Sequence, residues 1–315
     1  MTTERDAKEN NKAGDSRKKG VSAGVICAVL GAVSWGFSGT CSQYMFMNYE
    51  VDSVWLTTMR MTISGIVLFI ISFIAERKEL FEILRRKRDM INEAIFGIAG
   101  LLFCQFSYLT AIQYSNSATA TVLQNLSVVF IAVFTAVITR TMLGKKQIFS
   151  IALALFGVFL IATHGNIRSM VISGKGLFWG LCTAVGVVVY SMLSARLAAR
   201  WSSRIVSAYG MLIGGFTLGI LTGSYSLRPE LDLAGVVVMG LIVLIGTVGA
   251  FTLFIEGINK IGAVRATLIG CLEPVSATVI SAIWLKSTFS ITDILGFVCI
   301  IATVLIFNIN KRSTE

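Results

Sequence analysis

Ten apolar stretches, each near the twenty residues a helix needs to cross a bilayer, dominate the chain: about 21–43, 53–75, 94–112, 117–139, 147–163, 176–195, 206–223, 234–255, 262–284 and 291–309. A soluble fold of 315 residues needs charge to cover its surface, whereas here 55% of residues are hydrophobic and 14% charged. The expected fold class is an all-α polytopic membrane protein with ten transmembrane helices. Residues 1–19 are polar, mixed in charge and without an apolar period, and read as a disordered cytoplasmic tail. The first apolar run follows Arg17, Lys18 and Lys19 as a signal peptide's would. It is too long for one, and nine more runs follow, so it reads as an uncleaved helix.

The placement of charge tests this count. With the N-terminus in the cytoplasm, 22 of the 27 Lys and Arg residues fall on the cytoplasmic side, six in the tail and six in the 76–93 loop alone. Only Arg168, Lys175, Arg228 and Lys286 fall opposite, and Arg60 lies within a span. One helix more or fewer would scramble the alternation. The net charge of +10 is thus an orientation signal and not a nucleic-acid footprint; both termini are expected in the cytoplasm, in a multi-pass protein of the cell membrane. The stretch ERKELFEILRRKRDM in the 76–93 loop has the composition of a surface helix that attracts anionic membrane lipid, although an ordinary basic loop is the plainer reading.

The ten runs hide a repeat. Shifted by 146 residues, Ala111–Val137 lies over Gly257–Ile283 without a gap, with identities at Ile112/Ile258, Ala120/Ala266, Thr121/Thr267, Leu126/Leu272, Val129/Val275, Val133/Val279 and Ala136/Ala282. At a shift of 155, Cys27/Cys182 and Gly31/Gly186 coincide and Trp35 meets Tyr190. Two five-helix halves, 20–165 and 174–310, are expected. Five is odd, so the second half enters the membrane inverted, an arrangement that places a substrate site near the midplane between halves.

The chain resembles the drug/metabolite transporter superfamily, in particular the ten-helix EamA-type permeases. The resemblance rests on the Gly-rich first helix ending SWGFSG (34–39), the arginine in WLTTMRMTISG (55–65), YLTAIQYSNSATATVLQNLSVVF (108–130) and FIEGINKIGAVRATLIGCLEPVSATV (254–279). It implies export or uptake of small organic molecules such as amino acids, other metabolites or drugs. The chain departs from the family's pattern at Val128, where members often carry proline, and at Arg140 or Thr141 and Lys286, where they often carry glutamate.

Glu273 falls near the centre of the ninth span, where a lipid-facing carboxylate would cost roughly 3 kcal/mol on insertion scales, so it should face the bundle interior or be protonated. Pro274 next to it lacks an N–H and crowds the carbonyl of Gly270, which points to a helix break beside a titratable acid. The alternative is a static kink with a hydrogen-bonded, neutral Glu273. Arg60 shares a helical stripe with Ser53, Thr57 and Ser64; it either lines a cavity or snorkels, and the family's arginine here implies the cavity. Trp35 reads as a cavity surface or an interfacial belt residue, while Gln105, Tyr108, Gln124 and Asn125 either orient a substrate or bond between helices. Gly24, Gly31, Gly36 and Gly39 read as packing notches, and His164 as exposed.

The expected function is a secondary transporter exporting a small organic solute (an amino acid, another metabolite or a drug) by alternating access, either coupled to protons through Glu273 or by facilitated diffusion. No GxxxxGK[ST] loop occurs, six cysteines are scattered singly, and there is one histidine, so no cofactor, metal or ATP site is expected. An intramembrane enzyme lacks a convergent catalytic set here, and a receptor or scaffold needs no repeat. The topology is checked with single cysteines at Ser16 and Asn48 in a cysteine-free background: an impermeant thiol reagent added outside labels position 48 and spares 16. Equal labelling contradicts ten spans.

Overall fold

The computed structural model of the chain describes residues 2–140, 142, 144–166 and 171–311; Thr141, Arg168 and Arg312 lie outside the described residues. Among the described residues, eight helices are long and apolar enough to cross a membrane, and two shorter apolar helices, Leu268–Trp284 and Ile291–Ile306, complete the series. In chain order they are α1 (Thr2–Asn48, apolar from Ser22), α2 (Ser53–Ala75), α3 (Lys87–Tyr114), α4 (Ser117–Ile138) and α5 (Lys145–Thr163). The second five are α6 (Gly174–Ala198), α7 (Ser203–Thr222), α8 (Leu233–Ile261), α9 (Ala263–Gly270 with Leu272–Trp284) and α10 (Ile291–Lys311). A short helix, Arg77–Arg85, follows α2. An even number of crossings leaves both chain ends on one face, called here the termini side.

Two boundaries differ from those expected. Within the polar stretch, residues 2–19 continue α1 as helix; they contain no proline to interrupt the ladder. α3 begins at Lys87 and not near 94, because its first turns are charged and packing, not hydropathy, makes them helical. On the far side four helices open on a side-chain cap: Asp52 accepts from the Trp55 N–H at 2.7 Å, Asn116 from Thr119 at 2.8 Å, Ser173 from Gly176 at 3.0 Å and Asp232 from Gly235 at 2.8 Å.

Packing follows the inverted repeat. α1 lies against α8 as α3 lies against α6, while α2 pairs with α7 and α5 with α10. Exchanging each helix for the one five places on carries this set of pairs into itself. Lipid offers no hydrophobic force between helices, so close backbone approach does the work. Gly157 and Gly296 meet reciprocally: a Cβ at either would lie 2.9 or 2.8 Å from the other's carbonyl oxygen. Thr303 Oγ1 donates to the Ser150 carbonyl at 3.1 Å in the same seam. At its far end His164 is not simply exposed, as expected, but bonds Asp293 at 2.9 Å, because a left-handed turn (φ 50°) at the end of α5 points it towards α10.

Both halves carry the same two irregularities. A π-helical turn interrupts α3 at Phe96–Leu102 and α8 at Leu244–Gly249. α4 breaks between Gln124 and Ser127 and α9 at Cys271, positions that correspond under the 146-residue shift. Pro274 therefore does not create the break, because α4 breaks with Val128 in the equivalent place; Pro274 occupies the first turn of Leu272–Trp284, where a missing N–H is tolerated. The same offset holds at the helix ends, where Arg140 (φ 53°) and Lys286 (φ 56°) both adopt the left-handed conformation.

This equivalence yields a prediction. The Val128 N–H makes only a 3.3 Å bond to the Asn125 carbonyl. Val128→Pro should shift stability by no more than about 1 kcal/mol, whereas Ala132→Pro, inside the helix, should lose about 3 kcal/mol or more. Thermal unfolding of the purified variants in detergent checks this; equal losses contradict it.

Candidate substrate cavity between the two halves

A cavity of about 170 Å³ lies where α1, α2, α3 and α4 meet α6, α8 and α9, lined by Trp35, Arg60, Leu101, Cys104, Gln105, Tyr108, Gln124, Val187, Tyr190, Phe251 and Glu273. One water needs roughly 10–15 Å³ of such space, so the volume holds a small solute with accompanying water.

Arg60 is 4% exposed and does not snorkel: α2 buries its whole polar stripe of Ser53, Thr57, Arg60 and Ser64 against other helices. Its Nε donates to Thr247 Oγ1 at 3.0 Å, and Nη1 is buried without a partner. The π turn of α8 prepares this contact, since Thr247 Oγ1 donates to the Ile242 carbonyl five residues back, at 2.9 Å, leaving its lone pairs for the guanidinium. Among the described residues no carboxylate comes within 4.0 Å of Arg60, so Arg60 and Glu273 share the cavity without pairing. A buried cation with a free donor and an unpaired acid form a two-ended polar site.

Trp35 packs edge-on to Phe251 at 5.4 Å and against Phe254 at 4.7 Å, so it is a cavity wall and not a belt residue. Thr121 Oγ1 donates to the Ser117 carbonyl at 2.7 Å, so at its 2.8 Å contact with Tyr108 the phenol is the donor. That bond fixes the Tyr108 ring in the wall. Gln105 and Gln124 line the space; Asn125 does not, its amide donating to the Thr121 carbonyl at 3.0 Å beside the break in α4. Gly270 also lies outside the lining, facing the Phe254 ring at 3.5 Å from an added Cβ. Gly36 brings α1 onto α9 at the Glu-Pro pair: a Cβ there would sit 2.5 Å from the Glu273 carbonyl oxygen.

On the far side, side-chain contacts tie the helix ends together. Gln43 on α1 accepts from the Ser117 N–H and hydroxyl, both at 2.9 Å, and donates to Ser287 Oγ at 3.2 Å, binding α1 to α4 and to the turn after α9. Tyr44 stacks on Trp284 at 5.2 Å. Tyr49 donates to Asp232 at 2.5 Å, which holds that carboxyl below the usual carboxylate range. This contribution is present above the ordinary carboxylate pKa and is lost as pH falls through the lowered folded value. On the termini side α4 and α9 part: their far-side segments pack together, while Ser127–Thr139 lies against α5, α6 and α10, and Ala263–Gly270 against α1, α8 and α10.

The EamA-like transporter family model matches residues 22–163 and again 174–309. The chain is 33% identical over 289 residues to an uncharacterized inner membrane transporter, YicL, of Salmonella typhimurium, covering 92% of this chain and 96% of that one. This chain belongs to the EamA-like transporter family. It is also 24% identical to an uncharacterized transporter, YetK, of Bacillus subtilis (82% and 78% covered) and 22% identical to a WAT1-related protein of Arabidopsis thaliana (85% of each). A crystal structure with 20% identity shares the fold at a TM-score of 0.59, over 93% of this chain and 99% of that one.

In this EamA-like chain the lining includes five side chains that sequence reasoning did not select: Leu101, Cys104, Val187, Tyr190 and Phe251. Tyr190 was signalled, since it aligns with Trp35 between the halves; the apolar ones carried no mark distinguishing them from core. A second buried acid was also missed. Glu93 is fully buried where α3 meets Gly210 of α7 and has no ion-pair partner among the described residues.

The Arg60–Thr247 bond gives a test. Thr247→Val strands a second guanidinium donor and should destabilise the protein by about 1–3 kcal/mol. In an Arg60→Met background the same change should have almost no effect, as thermal unfolding of the four proteins will report; additive losses would show the bond to be incidental.

Proposed function

We propose that this protein is a secondary transporter that exports a small zwitterionic solute, such as an amino acid, by alternating access, with both termini in the cytoplasm. The observation that carries the reading is the cavity's two ends: Arg60, with Nη1 unpartnered, and Glu273, without an ion-pair partner among the described residues, line one space together with Trp35, Tyr108, Tyr190 and Phe251. A solute carboxylate would satisfy Arg60, an amine would meet Glu273, and the aromatic walls would take an apolar body. Mildly hydrophobic cationic drugs, the other class such a cavity suits, would use Glu273 and the walls without Arg60.

The same arrangement supports an outward direction and coupling to protons. With the termini in the cytoplasm, a carrier whose far-side ends are tied together and whose termini-side arms part presents its site to the cytosol, the loading state that export requires. Glu273 sits one residue from Pro274 and two from the break in α9, so a change in the angle of that break changes the carboxyl's surroundings. An acid that binds its proton more tightly in one state than in the other links proton movement to the cycle.

Proteoliposome flux tests both parts. Labelled amino acids should be carried in preference to carboxylates lacking an amine and to cationic dyes, and Arg60→Ala should reduce amino-acid flux at least tenfold while leaving dye flux, if any, intact. Glu273→Gln should retain solute exchange but lose the response of net flux to an imposed pH gradient. An unchanged gradient response makes Glu273 a structural hydrogen-bonding group.

A further inference from the structure

The short helix Arg77–Arg85 has two apolar faces and only one of them is covered. Leu80 and Ile83 are fully buried against the bundle, where the Leu80 carbonyl accepts from the Tyr209 hydroxyl at 2.8 Å and the neighbouring Glu76 pairs with Arg204 of α7. Phe81 and Leu84, three apart on the other side, are 41% and 46% exposed. A helix facing water would carry polar residues there.

Two further observations say what covers this face. The first is continuity: Ile66, Ile70, Phe73 and Ile74 form the exposed stripe by which α2 meets lipid, and Phe81 extends it, its ring 6.1 Å from that of Phe73. Phe81 thus stands where the hydrocarbon ends and headgroups begin. The second is charge. A shallow groove around Phe81 is lined by Arg77, Lys78, Arg85 and Arg86, with Glu82 as the one acid. Glu82 is already engaged by Arg86 at 2.8 Å. Glu79, the helix's other acid, lies outside the groove, and Arg77, Lys78 and Arg85 have no ion-pair partner among the described residues. Arg77 is held at the apolar edge, its guanidinium carbon 4.9 Å from the Phe73 ring centroid.

We propose that this groove binds the phosphate headgroup of an anionic glycerophospholipid, with its acyl chains along Phe73, Phe81 and Leu84. Arg77, Lys78 and Arg85 supply the charge, and three cations at headgroup depth attract a negative lipid in preference to a neutral one. Because the opposite face of the helix is bonded to α7 through Leu80 and Tyr209, the bound lipid also fastens the termini-side end of the α2–α7 seam. A free anion would gain the charge but not the apolar contact.

Native mass spectrometry of the purified full-length protein tests this, with phosphatidylglycerol, phosphatidylcholine and inorganic phosphate as probes. The wild type should retain phosphatidylglycerol at least tenfold more tightly than phosphatidylcholine, and millimolar phosphate should not displace it. Arg77→Gln, Lys78→Gln and Arg85→Gln together should bring phosphatidylglycerol to the phosphatidylcholine level. Lys145→Gln with Lys146→Gln, which removes two termini-side cations elsewhere, should change nothing. If the triple variant does not insert, Arg85→Gln alone and Phe81→Ser alone carry the test, each lowering the preference at least threefold. Equal retention by wild type and variants, an equal loss in the Lys145/Lys146 variant, or displacement by free phosphate would overturn the proposal.

Discussion

In hydrocarbon a backbone N–H or C=O without a partner has no water to turn to, so any departure from the helix must be enclosed by protein. That constraint organises this molecule. Among the described residues, its departures from regular helix within the apolar spans are two π turns and two breaks, one of each in either half, and the cavity forms among them. The π turn of α8 places Thr247 against Arg60, and the break in α9 sits beside Glu273. The polar site and the irregular backbone thus support one another: each is tolerable in the membrane because the other is there.

Arg60 shows how the two halves differ despite their common plan. Its guanidinium reaches from the first half to Thr247 in the second, whereas Gly65, one turn further along α2, packs on apolar Leu212 of α7. Glu273 has its equivalent at Ser127, one residue past the break in α4. The cavity's carboxyl therefore comes from the second half at a place where the first half has a neutral serine. The pseudosymmetric scaffold thus carries an asymmetric cavity lining.

Much of this was legible in the chain. Hydropathy and the alternation of Lys and Arg gave the crossings, and the 146-residue register between Ala111–Val137 and Gly257–Ile283 exposed the duplication. Polar residues in apolar spans are expensive, so Trp35, Arg60, Gln105, Tyr108, Gln124 and Glu273 stood out, and all six line the cavity. Asn125 stood out for the same reason, yet its amide closes on its own helix. What could not be read was whatever lacks a residue signature. A π turn is set by packing, the break in α4 has no proline, and Glu93 looked like part of a charged loop because helix α3 begins before its hydropathy rises.

The paired breaks have a mechanical consequence. Each divides its helix into an eight-residue arm, Ser117–Gln124 or Ala263–Gly270, and a thirteen-residue arm. At 1.5 Å per residue the short arm is a lever of about 12 Å, so a rotation of roughly 20° at the break swings its tip by about 4 Å. The two levers point to opposite faces of the membrane, one locked by Gln43 through Ser117 and the other parted from its opposite number. Both short arms pack on α10, which the close approach of Gly157 and Gly296 joins to α5.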